Sequence, residues 1–165
     1  MVAKKNDENV VDAEVVDADE STAVDNYRGG GDVNSRISGL NNTDGAFYSS
    51  IKNDSFSGKK KIASALASST PLIDHLNEDI PLVDFIIQSV QIADEKTGEL
   101  NIAPRITLID ENGNAYSATS IGVLSSVEQF VAVIGEPDTW EEPVVVRAVE
   151  ERGRRGYRFM TLKLV

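Results

Sequence analysis

Cysteine is absent from this chain of 165 residues, and histidine occurs only once, as His75. The chain therefore contains no disulfide, no thiolate metal ligand and no cysteine nucleophile, and one histidine cannot build a histidine metal cluster. No nucleophile–base pair is recognisable elsewhere in the sequence. These absences argue against an enzyme and predict that the protein needs no metal and no cofactor.

Long apolar stretches are also missing. No run approaches the roughly 18 residues that a membrane helix needs, and the N-terminal segment has no apolar core of a signal peptide. The lack of cysteine fits a reducing compartment. We therefore expect a soluble intracellular protein, in the cytoplasm and without a membrane partner.

Basic residues are in the minority, with 16 Lys and Arg against 27 Asp and Glu, so the net charge is −11. This balance argues against a protein that coats duplex DNA through bulk positive charge. The charge is unevenly distributed, however. Residues 1–26 carry eight acids and two bases and no aromatic residue, whereas residues 147–165 carry six bases and two acids. A local basic groove is therefore compatible with the sequence.

Composition divides the chain into an arm and a domain. Residues 1–26 have too little apolar surface to offset chain entropy, which predicts a disordered acidic arm. Residues 27–43 are rich in Gly, Asn and Ser and are typical of a linker. We expect one folded domain over residues 44–165, because it holds nearly all the large apolar residues.

Periodicity within the domain predicts a mainly β fold. An N-terminal helical segment comprises Lys59–Ser68, which opens at Ser57 or Gly58, and a short helical turn from Thr70-Pro71 to Leu76, with Thr70 as the cap. The predicted strands are Val83–Ala93, Arg105–Asp110, Ala115–Ser120, Val144–Val149 and Tyr157–Val165, and a helix between Gly122 and Gly135 separates the third from the fourth. This order is that of an OB-like five-stranded barrel, although a generic α+β sandwich stays open.

A turn at Asn112-Gly113 is a strong hairpin signal. If it contains two residues, Ile109 pairs with Tyr116, and one face carries Arg105 beside Tyr116. An arginine and an aromatic ring would serve the phosphate and the base of a single strand. The alternative, weighted equally, is that Tyr116 packs against a neighbouring strand.

The last predicted hairpin carries the densest basic feature. Its loop contributes four arginines and a tyrosine, namely Arg152, Arg154, Arg155, Tyr157 and Arg158. Guanidinium groups on a glycine-containing loop can reach phosphates, and an exposed tyrosine can stack on a base. We favour nucleic-acid binding over a solvated hairpin tip, and the role of Phe159 stays open.

Three consecutive lysines, Lys59, Lys60 and Lys61, begin the first predicted helix. Lysine at this end opposes the helix dipole, which favours anions there. Together with free amide groups, these lysines would form a phosphate site. A solvated charge run is nearly as good an interpretation.

Several stretches resemble single-stranded DNA-binding proteins from small tailed phages and mobile elements of Gram-positive bacteria. They are Gly58–Leu66 with Pro71–Leu76, Glu95–Glu99 with Ala103–Asp110, and Gly135–Pro143 with the Thr161–Leu164 ending. The resemblance implies an OB-like barrel that coats displaced single strands during phage DNA replication. It supplies no residue-level motif, so the candidate residues above rest on their physical chemistry.

Two function classes follow. The first is a single-stranded DNA-binding protein of low sequence specificity, with replication proteins as a further class of partner. The second is an acidic adaptor whose barrel binds a protein partner, which the net charge motivates. Binding to labelled oligonucleotides discriminates between them.

Overall fold

The computed structural model describes residues 47–165. The predicted acidic arm and linker, residues 1–43, lie outside the described residues. The strands are β1 (Phe47–Ser49), β2 (Thr70–Pro71), β3 (Asp79–Ala93), β4 (Leu100–Asp110), β5 (Ala115–Ala118), β6 (Val144–Arg152) and β7 (Arg158–Leu164). The helices are α1 (Phe56–Ser68) and α2 (Ile121–Ile134), and 3₁₀ turns cover Leu72–His75 and Pro137–Thr139.

The described strands form one curled, half-barrel sheet, which confirms the prediction of a mainly β fold. The strand order is β2-β5-β4-β3-β6-β7, and β1 pairs with β3 beside this path. All pairings are antiparallel except that of β2 with β5. The edge strands are β7 and the two-residue β2, which lies beside β5, and within residues 47–165 no ladder joins β7 to β2 or to β5, so the curled sheet has a seam on this side, between β5 with β2 and β7.

β3 is the central strand of the sheet. Residues 79–82 pair with β6, residues 86–88 pair with β1, and β4 follows β3 from Leu82 to Ala93. Beyond the region paired with β1, β3 and β4 continue as a two-stranded ribbon whose outer residues, 91–102, are exposed.

The core lies on both faces of this sheet. One face packs the buried side of α2 against strands that include Phe85, Ile87 and Leu108. The other face packs Ile62 and Ala65 of α1 in a smaller cluster with strand residues. Burying apolar area contributes about 25 cal/mol per Å², so both helices help to hold the curl of the sheet.

Helix α2 follows its sequence signals closely, whereas α1 begins earlier than predicted. Ser120 caps α2 by accepting a hydrogen bond from the Val123 N–H, and Gly135 ends this helix with a φ of 87°. Helix α1 begins at Phe56, three residues before the predicted start, because Ser55 is the cap and accepts from the Gly58 N–H at 3.1 Å. A serine two positions earlier than expected therefore sets the helix start.

The predicted helical turn after α1 is wrong at its start. Thr70 and Pro71 are extended and form β2, which lies parallel to β5 at Tyr116 and Ser117. The 3₁₀ turn begins only at Leu72. The Thr70 hydroxyl, expected to cap a helix, donates instead to the Ala115 carbonyl at 3.3 Å.

Two strands start earlier than predicted. β3 starts at Asp79 instead of residue 83, and β4 starts at Leu100 instead of residue 105. Pro81 and Pro104 made these segments poor strand candidates. β4 pairs with β5 only over residues 106–109, so its proline costs no bond to β5.

The predicted register of the β4–β5 hairpin is wrong by one residue. Ile109 pairs with Ala115, and Leu108 pairs with Tyr116. The Asp110 carboxylate accepts the backbone N–H groups of Asn112 and Asn114, at 2.9 and 2.8 Å, which holds a longer loop. A one-residue shift moves every side chain of β5 to the opposite face.

Candidate nucleic-acid interface

The tip of the β6–β7 hairpin has a fixed backbone. The strands pair as far as Arg152 and Arg158, and the Gly153 N–H donates to the Tyr157 carbonyl at 2.8 Å. The Gly156 N–H donates to the Gly153 carbonyl at 2.9 Å, and Gly156 has a φ of 80°, which glycine adopts without strain. The tight turn brings the basic side chains of both strand ends together.

Three arginines at this tip are available to a ligand. Arg152, Arg154 and Arg155 are exposed, and no carboxylate of residues 47–165 forms an ion pair with them. They line an open cleft of about 510 Å³ together with Tyr157. Guanidinium groups form strong, often bidentate hydrogen bonds with phosphate oxygens. We call these four residues the arginine tip.

Tyr157 lies against the backbone of the turn. A Cβ atom at Gly153 would stand 2.6 Å from Cζ of the Tyr157 ring, so only glycine allows this approach. The Tyr157 side chain is 62 % exposed, although it is large and most of its surface is apolar. An exposed ring that is held next to cationic groups can stack on a nucleobase.

Phe159, whose role the sequence left open, lies next to Tyr157 on the side towards the core. Its ring centroid lies 6.0 Å from that of Tyr157, with the planes tilted by 43°. Phe159 is half-buried and packs against the start of α2, where a Cβ at Gly122 would stand 3.2 Å from Phe159 Cδ2. Packing therefore fixes the inner ring, while the outer ring stays accessible.

A second cleft, of about 450 Å³, opens at the seam between β5 and β7. We call it the seam cleft. Its walls come from the 3₁₀ turn, the two residues between β5 and α2, the end of β6 and the start of β7, and they include Ile73, Leu76, Ser120, Phe159 and Met160. Sequence reasoning missed this cleft, since its walls come from segments that are distant in the chain.

The other bases of the hairpin are paired with neighbouring carboxylates. Arg158 Nη1 lies 3.0 Å from Glu150 Oε1, and Lys163 Nζ lies 2.7 Å from Glu151 Oε1. These pairs are exposed and contribute little to stability. They do reduce the net positive charge along the strands, so the unpaired charge is concentrated in the arginine tip.

Arg105 lies apart from Tyr116, contrary to the predicted shared face. Its Nη2 donates to the Ser69 hydroxyl at 3.2 Å and lies 3.4 Å from the Ser117 hydroxyl. Arg105 follows the face of β4 that carries buried Thr107, whereas Tyr116 belongs to the α2 side of the sheet. The register shift at Asp110 is the reason for this separation.

Tyr116 packs against other residues of the protein. From the sequence, packing and base stacking had been equally weighted for this side chain. It is half-buried against the larger core cluster, and its hydroxyl donates to Asp110 Oδ2 at 3.1 Å. Its ring meets the His75 ring edge-on, with centroids 4.8 Å apart. Burial, and next the Asp110 carboxylate, raise the pKa of Tyr116. The geometry favours packing for this side chain.

The three lysines occupy the second turn of α1 instead of its first. The Lys59 N–H donates to the Ser55 carbonyl, and α1 begins three residues before these lysines, so the phosphate site expected from the lysines and the free amides at the helix terminus stays a prediction. Lys61 lies 2.7 Å from Asp84 Oδ2, whereas Lys59 and Lys60 are exposed.

Comparison with known protein families favours the first of the two function classes. A family model described as the phage single-stranded DNA-binding protein, of the Phi29 type, matches residues 41–165. The chain belongs to this family. The predicted resemblance is confirmed, and membership supports single-stranded DNA as the ligand. No curated protein and no solved structure matches the chain.

The family is one of non-enzymatic DNA-binding proteins. Its match includes all of residues 47–165 and excludes the acidic residues 1–26. Within residues 47–165, no helix is long and apolar enough to cross a membrane. No cluster of three or more potential metal ligands occurs in this part of the chain.

Proposed function

We propose that this protein coats and protects single-stranded DNA during phage DNA replication, with little sequence preference and without catalysing a reaction. The observation that carries the proposal is the arginine tip, where Arg152, Arg154 and Arg155 lack carboxylate partners among residues 47–165 and adjoin the exposed ring of Tyr157. Family membership supports the same ligand. The host cytoplasm is the compartment where such DNA is replicated.

Low sequence preference follows from the chemistry of these groups. Arginine contacts with phosphate do not distinguish one base from another, and every base has a flat face on which an aromatic ring can stack. Lys59, Lys60 and Arg105 extend the proposed contact with phosphates, whereas Arg158 stays paired with Glu150.

The fold interpretation that accompanies this function is an open OB barrel. β3, β4, β5, β6 and β7 follow the OB order, and α2 lies between the third and fourth of them in sequence. The seam between β5 and β7 departs from a closed barrel. An OB-fold commonly binds oligonucleotides across strands and loops, which is compatible with a site at the β6–β7 tip.

Fluorescence anisotropy with a labelled oligo-dT, measured over a range of salt concentrations, tests the proposal. We expect tight binding at low salt and a linear fall of log affinity with log salt concentration. The double variant Arg154→Gln/Arg155→Gln should reduce the slope by about 1.4, since each phosphate contact on a single strand contributes about 0.7.

Arg147→Gln is the matched control. It also removes arginine charge, but Arg147 is paired with Asp79 at 2.7 Å, away from the arginine tip. We expect a smaller change in slope for this variant than for the double variant. Absence of oligonucleotide binding by the unaltered protein at low salt and micromolar concentration would overturn the proposal and favour the adaptor function.

A further inference from the structure

The seam cleft and the arginine tip are neighbouring sites of different chemical character. Phe159 lines both of them. The cleft at the arginine tip is lined by three arginines and no carboxylate. The seam cleft contains one charge of each sign, Arg158 and Glu150, which pair with each other at 3.0 Å. The first cleft suits an anion, whereas the charge-balanced seam cleft suits a neutral group.

The walls of the seam cleft are mainly apolar. Ile73 on the 3₁₀ turn is 56 % exposed, and it faces the same cleft as Leu76, Phe159 and Met160. Besides the Arg158–Glu150 pair, the polar side chains of the lining are Thr119 and Ser120, and the Ser120 hydroxyl already donates to the Met160 carbonyl at 3.1 Å. A cleft with apolar walls, one aromatic side chain and few polar groups is typical of sites for flat, largely apolar ligands.

Two structural restraints keep this cleft open and shaped. Ser120, the cap residue of α2, lines the cleft, and α2 is held close to β7 beside it, since a Cβ at Gly122 would stand 2.3 Å from the Met160 carbonyl oxygen. The 3₁₀ turn that carries Ile73 is fixed next to it by Leu72, which is fully buried in the core. The volume of about 450 Å³ lies within the roughly 300–1,000 Å³ of small-molecule sites.

We propose that the seam cleft binds a nucleobase of the same DNA strand whose phosphates contact the arginine tip. The inference rests on the proposed function. A single strand alternates anionic phosphates with neutral, flat bases, and the two adjacent clefts match these two chemistries in turn. Phe159 supplies the stacking surface, and Ile73 covers the opposite side of the base.

Abasic oligonucleotides isolate the contribution of the bases, because they keep the phosphates and lack the rings. We expect the unaltered protein to bind oligo-dT more tightly than an abasic oligomer of equal length. Ile73→Ser should weaken binding of oligo-dT and leave binding of the abasic oligomer unchanged. Phe159→Leu should lower affinity for oligo-dT by about fivefold or more, the low end for one stacked base.

Val133→Ser is the matched control, because Val133 is 83 % exposed on α2 and lines neither cleft. It should change neither affinity. Ile73→Ser is the safer test of the two cleft variants, since its exposed side chain contributes little to folding. The salt dependence should stay the same in both cleft variants, which separates loss of a base contact from loss of a phosphate contact.

The outcomes distinguish this inference from the proposed function. If the unaltered protein binds oligo-dT and Ile73→Ser and Phe159→Leu behave like Val133→Ser, the seam cleft does not bind a base, and the DNA-binding function stands. If Ile73→Ser weakens binding of the abasic oligomer as strongly as that of oligo-dT, the cleft contacts the backbone and the inference also fails. If the unaltered protein binds neither oligomer, the proposed function itself fails.

Discussion

Tyr157 rests against Gly153 so closely that a methyl group on the glycine would overlap the ring, with a Cβ–Cζ distance of 2.6 Å. The position of the most exposed aromatic ring near the arginines therefore depends on a residue without a side chain. If the placement of the Tyr157 ring matters for DNA binding, a larger residue at position 153 should change the affinity.

Gly153→Ala should displace the Tyr157 ring and weaken binding of oligo-dT. Tyr157→Ala gives the upper limit for this effect, about 5- to 150-fold from the 1–3 kcal/mol of a stacked base. Anisotropy measures the affinity, and a thermal melt should show little change, because the tip is exposed. Tyr157→Phe, which keeps the ring, is the control. Equal affinities of Gly153→Ala and the unaltered protein would contradict a role for the ring position.

Removal of residues 1–26 should tighten binding of oligo-dT at low salt. This segment carries eight acids and two bases, and an anion tethered to the domain competes with DNA for the arginine tip. Salt screens that competition, so the gain in affinity should shrink as salt rises. Replacing the eight acids by Asn and Gln tests charge separately from length. An unchanged low-salt affinity in both variants would leave the arm without influence on binding.

Asp110 should make the fold sensitive to acid. Burial raises its pKa, but hydrogen bonds from Asn114, Tyr116 and Asn112 outweigh burial, and the pKa lies below the ordinary 3.8. A carboxylate with a lowered folded-state pKa stabilises the fold above pH 3.8, and this contribution is lost as pH falls through the folded-state pKa. Thermal melts from about pH 5 downwards should record the loss.

Asp110→Asn checks the assignment. It should destabilise the fold by about 1–3 kcal/mol at neutral pH, since the new amide faces hydrogen-bond donors, and it should flatten the acid limb of the melting curve. Asp94→Asn is the control. The pKa of Asp94 is also lowered, chiefly by the hydrogen bond from the Thr97 N–H, but Asp94 lies in an exposed loop. If the acid limb of Asp110→Asn matches that of the unaltered protein, another group causes the acid sensitivity.

The sequence predicted the features that depend on local chemistry. The apolar face of α2, its glycine end and the cluster of arginines at the last hairpin follow from spacing and composition alone. Family resemblance supplied the ligand class, which the family model bears out. The disorder of residues 1–26 stays a prediction, since those residues lie outside the described part of the chain.

The error in the predicted β4–β5 register arose because one side chain overrides the pattern of alternating residues. Asp110 holds two amides of the following loop and so adds a residue to the turn, which moved Tyr116 from the expected binding face to the core. The seam cleft was beyond prediction for another reason. Ile73 and Phe159 are brought to one cleft only by the curl of the sheet, and no spacing in the sequence encodes that juxtaposition.

The central position of β3 has a consequence for how the chain folds as it is synthesised. Residues 79–82 of β3 find their partner in β6, more than sixty positions later, while the rest of the strand pairs with the nearby β4. Non-local pairing of this kind slows folding. A nascent chain that has not yet produced residues 144–165 can form the β3–β4 ribbon, but it lacks the strands that complete the sheet. The hairpin that carries the arginine tip emerges after the other strands of the sheet, so the nascent domain acquires its proposed affinity for DNA only once residues 144–165 have been made.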